Sequence, residues 1–259
     1  MYTAHPKSGN LVLLLLVTGI LTACAATPDT DEASAGANDP WEPMNRTVFS
    51  FNMAVDKATL RPLARGYQKI TPNFARRGVT NFFDNLTTPG SALNNFLQGK
   101  PARGFSELGR FLFNSTLGIG GLVDIADLGG MQRHEEDFSQ TFAVWGIPEG
   151  PYLVLPFIGG RSLLATVALP FDYNADLLQY IEDASVRDKL LVLKLIDTRE
   201  GLLPADKFLD ESNDPYITFR EAYRQNREYA IYDGDPPIED DYYEFMDEEF
   251  EDEDSTVPE

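Results

Sequence analysis

Residues Phe111 to Met131 read FLFNSTLGIGGLVDIADLGGM. Few stretches of the chain are as apolar, and no ordinary apolar role fits this one. A membrane-spanning helix needs about 20 apolar residues in a row. Asp124 and Asp127 interrupt this run. Gly118, Gly120, Gly121, Gly129 and Gly130 weaken any helix through it, at roughly 1 kcal/mol each relative to Ala. A buried strand is shorter and holds fewer glycines. The pattern predicts an apolar helix end, a close-packed glycine turn, and a short apolar segment carrying two carboxylates. Such a hairpin suits a cavity wall or partial entry into a bilayer. Irregular backbone at membrane depth is tolerated only where protein covers it or water reaches it. The competing reading is a buried loop of a soluble protein.

Upstream, Pro101 opens a helix in which Phe105, Leu108 and Leu112 line up and lead into this stretch. Before it, Thr71-Pro72 has the form of a cap followed by a first-turn proline. It predicts a helix with Ala75, Val79, Phe82 and Leu86 in a stripe, ended by Thr88-Pro89-Gly90. Ser91 then caps a short helix closed by Gly99. The body begins DPWEPMNR, with Asp39 as cap and Pro40 as first residue of a helix apolar at Met44, Val48, Phe51 and Val55. Phe49 and Met53 lie on another face, so that helix is deeply buried or in contact with lipid.

Downstream, Glu136 to Gly146 predicts a short helix and Gly150 to Phe157 an extended apolar segment in which Pro156 argues against a central strand. Ser162 to Leu169 reads as a short helix stopped by Pro170. The longest helix is expected from Asp176 to Arg199, and a last one opens at Asp214-Pro215 with Tyr216, Phe219 and Tyr223 on one side. No clear run alternates apolar and polar residues, and no Asn-Gly or Asp-Gly pair joins two such runs. Residues 40–232 are therefore expected to form one all-α domain of many short apolar helices.

The ends differ from the body. Lys7, an apolar run from Leu11 to Leu21, and Leu21-Thr22-Ala23-Cys24 form a lipoprotein signal. Residues 1–23 are expected to be removed and Cys24, the chain's one cysteine, to be lipidated. No disulfide within the chain is possible. Several acyl chains on one cysteine make a stable anchor. Ala25 in place of an Asp favours the outer membrane. Residues 24–39 are small and acidic, a flexible tether. Residues 233–259 hold 14 acids and no Lys or Arg, which predicts a disordered, self-repelling tail. Of the chain's net charge of −20, the tail therefore accounts for most. Arg46 to Arg110 holds ten basic and three acidic residues, a face suited to lipid phosphates or to ion pairs with the acidic remainder.

The inventory for chemistry is sparse. His134, Asp137 and Ser139 are neighbours in sequence, which does not make a triad, and no G-x-S-x-G elbow is present. No cluster has metal-ligand spacing. Gly118-Ile119-Gly120-Gly121 lacks the Walker and dinucleotide patterns. A net acidic chain with a polyanionic tail is a poor nucleic-acid binder. No catalytic residue, metal or cofactor is expected, and the reading is a membrane-associated conduit or binding protein rather than an enzyme.

At this point the residues match a family. Asp39-Pro40-Trp41-Glu42-Pro43-Met44-Asn45-Arg46, Asn81-Phe82-Phe83-Asp84-Asn85-Leu86, Asn94-Asn95-Phe96-Leu97-Gln98-Gly99, Arg110 to Gly121, Gly150 to Pro156, and Asp214-Pro215-Tyr216 with Arg220-Glu221-Ala222-Tyr223 together resemble the MlaA (VacJ) outer-membrane lipoproteins over nearly the whole mature body. Gly160-Arg161-Ser162 and Ser139 depart from the usual family pattern. The resemblance implies a ring-like arrangement of short amphipathic helices embedded partway in the periplasmic leaflet of a Gram-negative outer membrane, around an amphipathic channel. It implies removal of mislocalised phospholipids from the outer leaflet and their handover to a periplasmic lipid carrier that feeds an inner-membrane ABC transporter. Association with a trimeric outer-membrane porin is also implied. Asn114, Gly118, Gly120, Gly121, Leu122, Asp124 and Asp127 are the candidate channel or gate residues. With no ATP motif present, direction must come from partners or lipid packing. The alternative function is a structural envelope lipoprotein that binds a porin and moves no lipid.

Overall fold

The computed structural model describes residues 39–237. The signal peptide, Cys24, the tether up to residue 38 and the acidic tail beyond Pro237 lie outside the described residues. The body is helical apart from one small hairpin. Its elements are α1 (Glu42–Val55), a π-helical turn (Asp56–Leu60), α2 (Arg61–Ile70), α3 (Asn73–Leu97), α4 (Pro101–Thr116), α5 (Ile125–Leu128) and α6 (Phe138–Val144). The antiparallel strands β1 (Tyr152–Leu155) and β2 (Gly159–Ser162) follow. Then come α7 (Leu163–Ala175), a 3-10 turn (Leu177–Tyr180), α8 (Ala184–Gly201), α9 (Ala205–Asp210) and α10 (Pro215–Ile231). Among the described residues no helix is long and apolar enough to cross a membrane.

Two proline punctuation marks are overridden. α3 runs unbroken through Pro89 for 25 residues and is the longest helix described, where two helices were expected. A proline inside a helix removes one hydrogen bond and crowds the carbonyl four residues back, at about 3 kcal/mol. Here the Thr87 and Thr88 hydroxyls both donate to the Asp84 carbonyl at 2.9 Å. Downstream, Asn94 and Asn95 bond back to the carbonyls of Gly90 and Ser91. Packing along α4 holds the rest in line. α7 likewise passes through Pro170 to Ala175, after Ser162 caps it by accepting from the Ala165 amide at 3.0 Å. The expected long helix from Asp176 breaks instead at residues 181–183. Asp176 caps the 3-10 turn and Asp183 caps α8.

The hairpin was not expected, and its reason lies on α1. Asn45 donates to the Tyr152 carbonyl at 3.0 Å and accepts from the Val154 amide at 2.9 Å. Asn52, two turns on, does the same for Leu155 and Phe157 at 2.9 Å each. Two helix side chains thus pair the free edge of β1 in place of a third strand. Phe157 at φ 64° and Gly159 at φ 99° turn the chain. Around this edge sits the apolar core: Phe49, Tyr152, Val154 and Tyr216, with Val48, Met53, Ile217, Phe219 and Tyr223 packed against it. The Tyr216, Phe219 and Tyr223 face of α10 is where the sequence placed it, and Asp214 caps that helix.

The termini of the body are fastened. Asp39, read as tether and helix cap, is buried and caps nothing. α1 starts at Glu42 after Trp41. The Asp39 carboxylate accepts from Asn45 at 2.7 Å, from the Tyr216 hydroxyl, and from Arg220 at 3.2 Å. Asp233, read as the first tail residue, is gripped by Arg103 at 2.6 Å and Lys100 at 2.7 Å.

Candidate lipid-facing helix and glycine turn

α4 carries its polarity reversed. Its buried residues are Gly104, Glu107, Arg110 and Asn114. Their spacing of three to four places them on one face. Glu107 is 1 % and Arg110 2 % exposed. Phe105, Leu108, Leu112 and Phe113 point outward. The apolar stripe in the sequence is therefore real, but it faces away from the protein. Gly104 lets α3 and α4 approach: a Cβ there would lie 2.7 Å from the Phe96 ring, which meets Phe105 edge-on at 5.1 Å.

The buried face ends in a polar hub. Asp124 accepts from Arg110 at 2.7 Å, Asn114 at 2.9 Å, Arg133 at 3.1 Å and the Asp127 amide at 3.0 Å. Burial raises the Asp124 carboxyl, but these donors outweigh it and hold it below its ordinary value. Asn114 also accepts from the Ala126 amide at 2.9 Å. Arg110 reaches the Met131 carbonyl as well. Glu107 accepts from the His134 amide at 2.6 Å, and burial pushes its carboxyl up. Arg133 ties the hub to Asp84 on α3 at 2.6 Å.

The glycine turn closes on the end of α4. The amides of Gly118, Gly120 and Gly121 donate to the carbonyls of Phe113, Ser115 and Asn114. Carbonyls left unpaired at a helix end are thereby satisfied. Ile119, Gly120 and Gly121 have φ of 56°, 68° and 94°. For Ile119, a β-branched residue, this is a strained conformation. At Gly118 a Cβ would sit 2.1 Å from the Val123 carbonyl oxygen, and at Gly121 2.8 Å from Asn85. Gly120 has open space around it.

Of the seven candidate residues, Asn114, Gly118, Gly121 and Asp124 come together in this packed hub. Gly120, Leu122 and Asp127 lie on the outer surface. Two cavities of about 320 and 380 Å³ occur elsewhere, the first apolar and bounded by Leu93, Phe138 and Phe171, the second with charged groups in its wall and bounded by Tyr152, Tyr223 and Arg227. Neither is lined by a residue of 111–131. Sequence reasoning missed Glu107 and Arg110. Their signal was the polar stripe Gly104, Glu107, Arg110, Asn114 opposite the apolar one. Ser139 donates to Asp137 at 2.7 Å and lies in the capping box of α6, and no hydrogen bond joins it to His134.

The reversal extends beyond α4. Among the described residues the fully buried side chains include Asn45, Asn94, Asn95, Glu107, Thr141 and Ser139, while Ile70, Phe74, Leu117 and Leu128 are exposed. Buried polar side chains and exposed large apolar ones thus recur on several elements, and such exposed apolar groups mark interaction surfaces.

Comparison with known proteins agrees. The MlaA lipoprotein family matches residues 37–230. The intermembrane phospholipid transport system lipoprotein MlaA of Escherichia coli (strain K12) is 36 % identical over 230 residues, 87 % of this chain and 90 % of the relative. The protein of that name from Haemophilus influenzae is 31 % identical over 233 residues, 88 % of this chain and 92 % of the relative. A solved structure described as the structural basis for maintenance of bacterial outer membrane lipid asymmetry superposes with a TM-score of 0.67. It is 37 % identical and covers 74 % of this chain and 98 % of that one. The chain belongs to the MlaA lipoprotein family.

Proposed function

We propose that this protein removes mislocalised phospholipids from the outer leaflet of a Gram-negative outer membrane and passes them to a periplasmic carrier. The reading is carried by one observation, the reversed polarity of α4. Its outward Phe105, Leu108, Leu112 and Phe113 suit acyl chains. Its inward Glu107, Arg110 and Asn114 give a polar interior beside which a headgroup is tolerated. The family's phospholipid-transport role fits this construction and needs no catalysis. The protein sits in the periplasmic leaflet, held there by acyl chains on Cys24, beside a trimeric porin. The carrier delivers its lipid to an inner-membrane ABC transporter. The glycine turn at 118–121 serves as hinge or wall of the lipid path.

Deleting the gene and measuring phospholipid in the outer leaflet tests the reading. Accumulation that the intact gene reverses is expected. An unchanged outer leaflet supports instead a structural lipoprotein that binds a porin and moves no lipid. Cys24→Ala, followed by fractionation, tests the anchor: normal amounts in the outer membrane would refute it.

A further inference from the structure

The corner between α2 and α3 stands apart from the rest of the surface. Ile70 ends α2 and Phe74 is the second residue of α3. At 80 % and 79 % they are the most exposed of the large apolar side chains among the described residues. The corner is nonetheless rigid from behind. The Tyr67 hydroxyl donates to Asp197 at 2.9 Å, Gln68 donates to Glu200 at 2.7 Å, and Arg76 pairs with Glu200. All these acids lie on α8.

The cations at the corner are also unusual. Most Lys and Arg of the body are paired with carboxylates, as Arg46, Arg61, Arg110, Arg199 and Arg220 illustrate. Lys69, next to Ile70, and Arg77, three residues after Phe74, make no ion pair among the described residues. Arg65, one turn before Lys69, has only Asp206 at 3.9 Å. In a chain of net charge −20, unspent positive charge beside two projecting apolar groups is out of keeping with its surroundings.

We infer that this corner is a docking point for an anionic phospholipid surface. Apolar groups that enter the acyl boundary beside Lys and Arg that meet phosphate are the signature of interfacial binding. An acidic protein approaching an anionic leaflet is repelled overall, so an attachment to it must carry its own positive charge. A rigid corner loses little entropy on docking. The inference does not depend on whether the protein moves lipid.

The test uses the full chain with Ile70→Cys in a Cys24→Ser background, labelled with a polarity-sensitive dye. It is mixed with brominated vesicles of phosphatidylcholine, or of phosphatidylcholine with phosphatidylglycerol. Quenching at position 70 is expected in the anionic vesicles and little in the neutral ones. Each cation near such a surface contributes about 1 kcal/mol, so Lys69→Gln with Arg77→Gln should weaken binding roughly 30-fold. Positions 69, 70 and 77 are exposed, so these substitutions should not change the far-UV circular dichroism. Four outcomes overturn the inference. One is no quenching at position 70 while a label at Leu112 is quenched; the proposed lipid-facing role of α4 would then survive. Another is quenching at neither position. The third is quenching equal in both vesicles and indifferent to the glutamines. The last is a label shielded without vesicles and released by truncation after Pro237, which would assign the corner to the acidic tail.

Discussion

Asp124 and Asp127 are three residues apart and carry the same group, yet their surroundings separate them. Asp124 neutralises Arg110, whose side chain is nearly inaccessible to water. Removing one partner of a buried ion pair strands the other charge, at roughly 3–5 kcal/mol. Asp124→Ala should therefore cost about 3 kcal/mol in denaturant unfolding in detergent. Asp127→Ala should stay within about 0.5 kcal/mol, as exposed substitutions do. Equal effects would refute the hub. Asp172 gives a pH signature. Burial, then the neighbouring Asp137, push its carboxyl up to about 6, against the Phe138 amide that it accepts at 2.9 Å. The unfolded carboxyl titrates near 3.8. Between these values the folded state holds more protons, so stability falls as pH rises through them. Asp172→Asn keeps the acceptor and should flatten that slope and raise the melting temperature at neutral pH. A steeper slope would assign the titration elsewhere.

Helices and their partners are the next scale. In a Cys24→Ser background, which removes the acyl anchor, replacing Phe105 and Leu112 with Ser should leave the far-UV spectrum intact while lowering the amount that binds phospholipid vesicles. Loss of fold would mean these side chains pack inward after all. In the glycine turn the order of damage on replacement by Ala should be Gly118, then Gly121, then Gly120. The first meets backbone, the second meets the Asn85 side chain, and the third meets only its own positive φ. Thermal midpoints rank them. How much of this was legible follows from the same physics. Helical periodicity located α4, its proline start and its apolar stripe. Periodicity marks both stripes but does not say which of them faces in, because the usual inference assumes water outside. Pro89 and Pro170 misled for a related reason: local breakers yield where tertiary packing holds the helix in line. The β1 edge was illegible because its pairing partners, Asn45 and Asn52, sit on a helix far upstream.

For the whole molecule, Asp39 and Asp233, read from the sequence as the last tether residue and the first tail residue, are fastened to the body. Truncation after Pro237 is expected to leave the melting temperature unchanged, because residues 238–259 hold 12 acids and no Lys or Arg. Truncation before Asp233 should lower stability by about 1 kcal/mol, because Lys100 and Arg103 lose a partly buried partner. Identical melting curves for the two truncations would show that the grip on Asp233 contributes nothing.

The grip on Asp39 has a mechanical consequence. Tension applied along the chain from its N-terminal side does not reach a fraying helix end first. It enters at a carboxylate grasped at once by Asn45 on α1 and by Tyr216 and Arg220 on α10. The load is shared by the first and last helices of the body and opposed by their common aromatic core. Such an arrangement yields by shearing several bonds together rather than by unzipping them one after another, so the body should tolerate tension applied at Asp39.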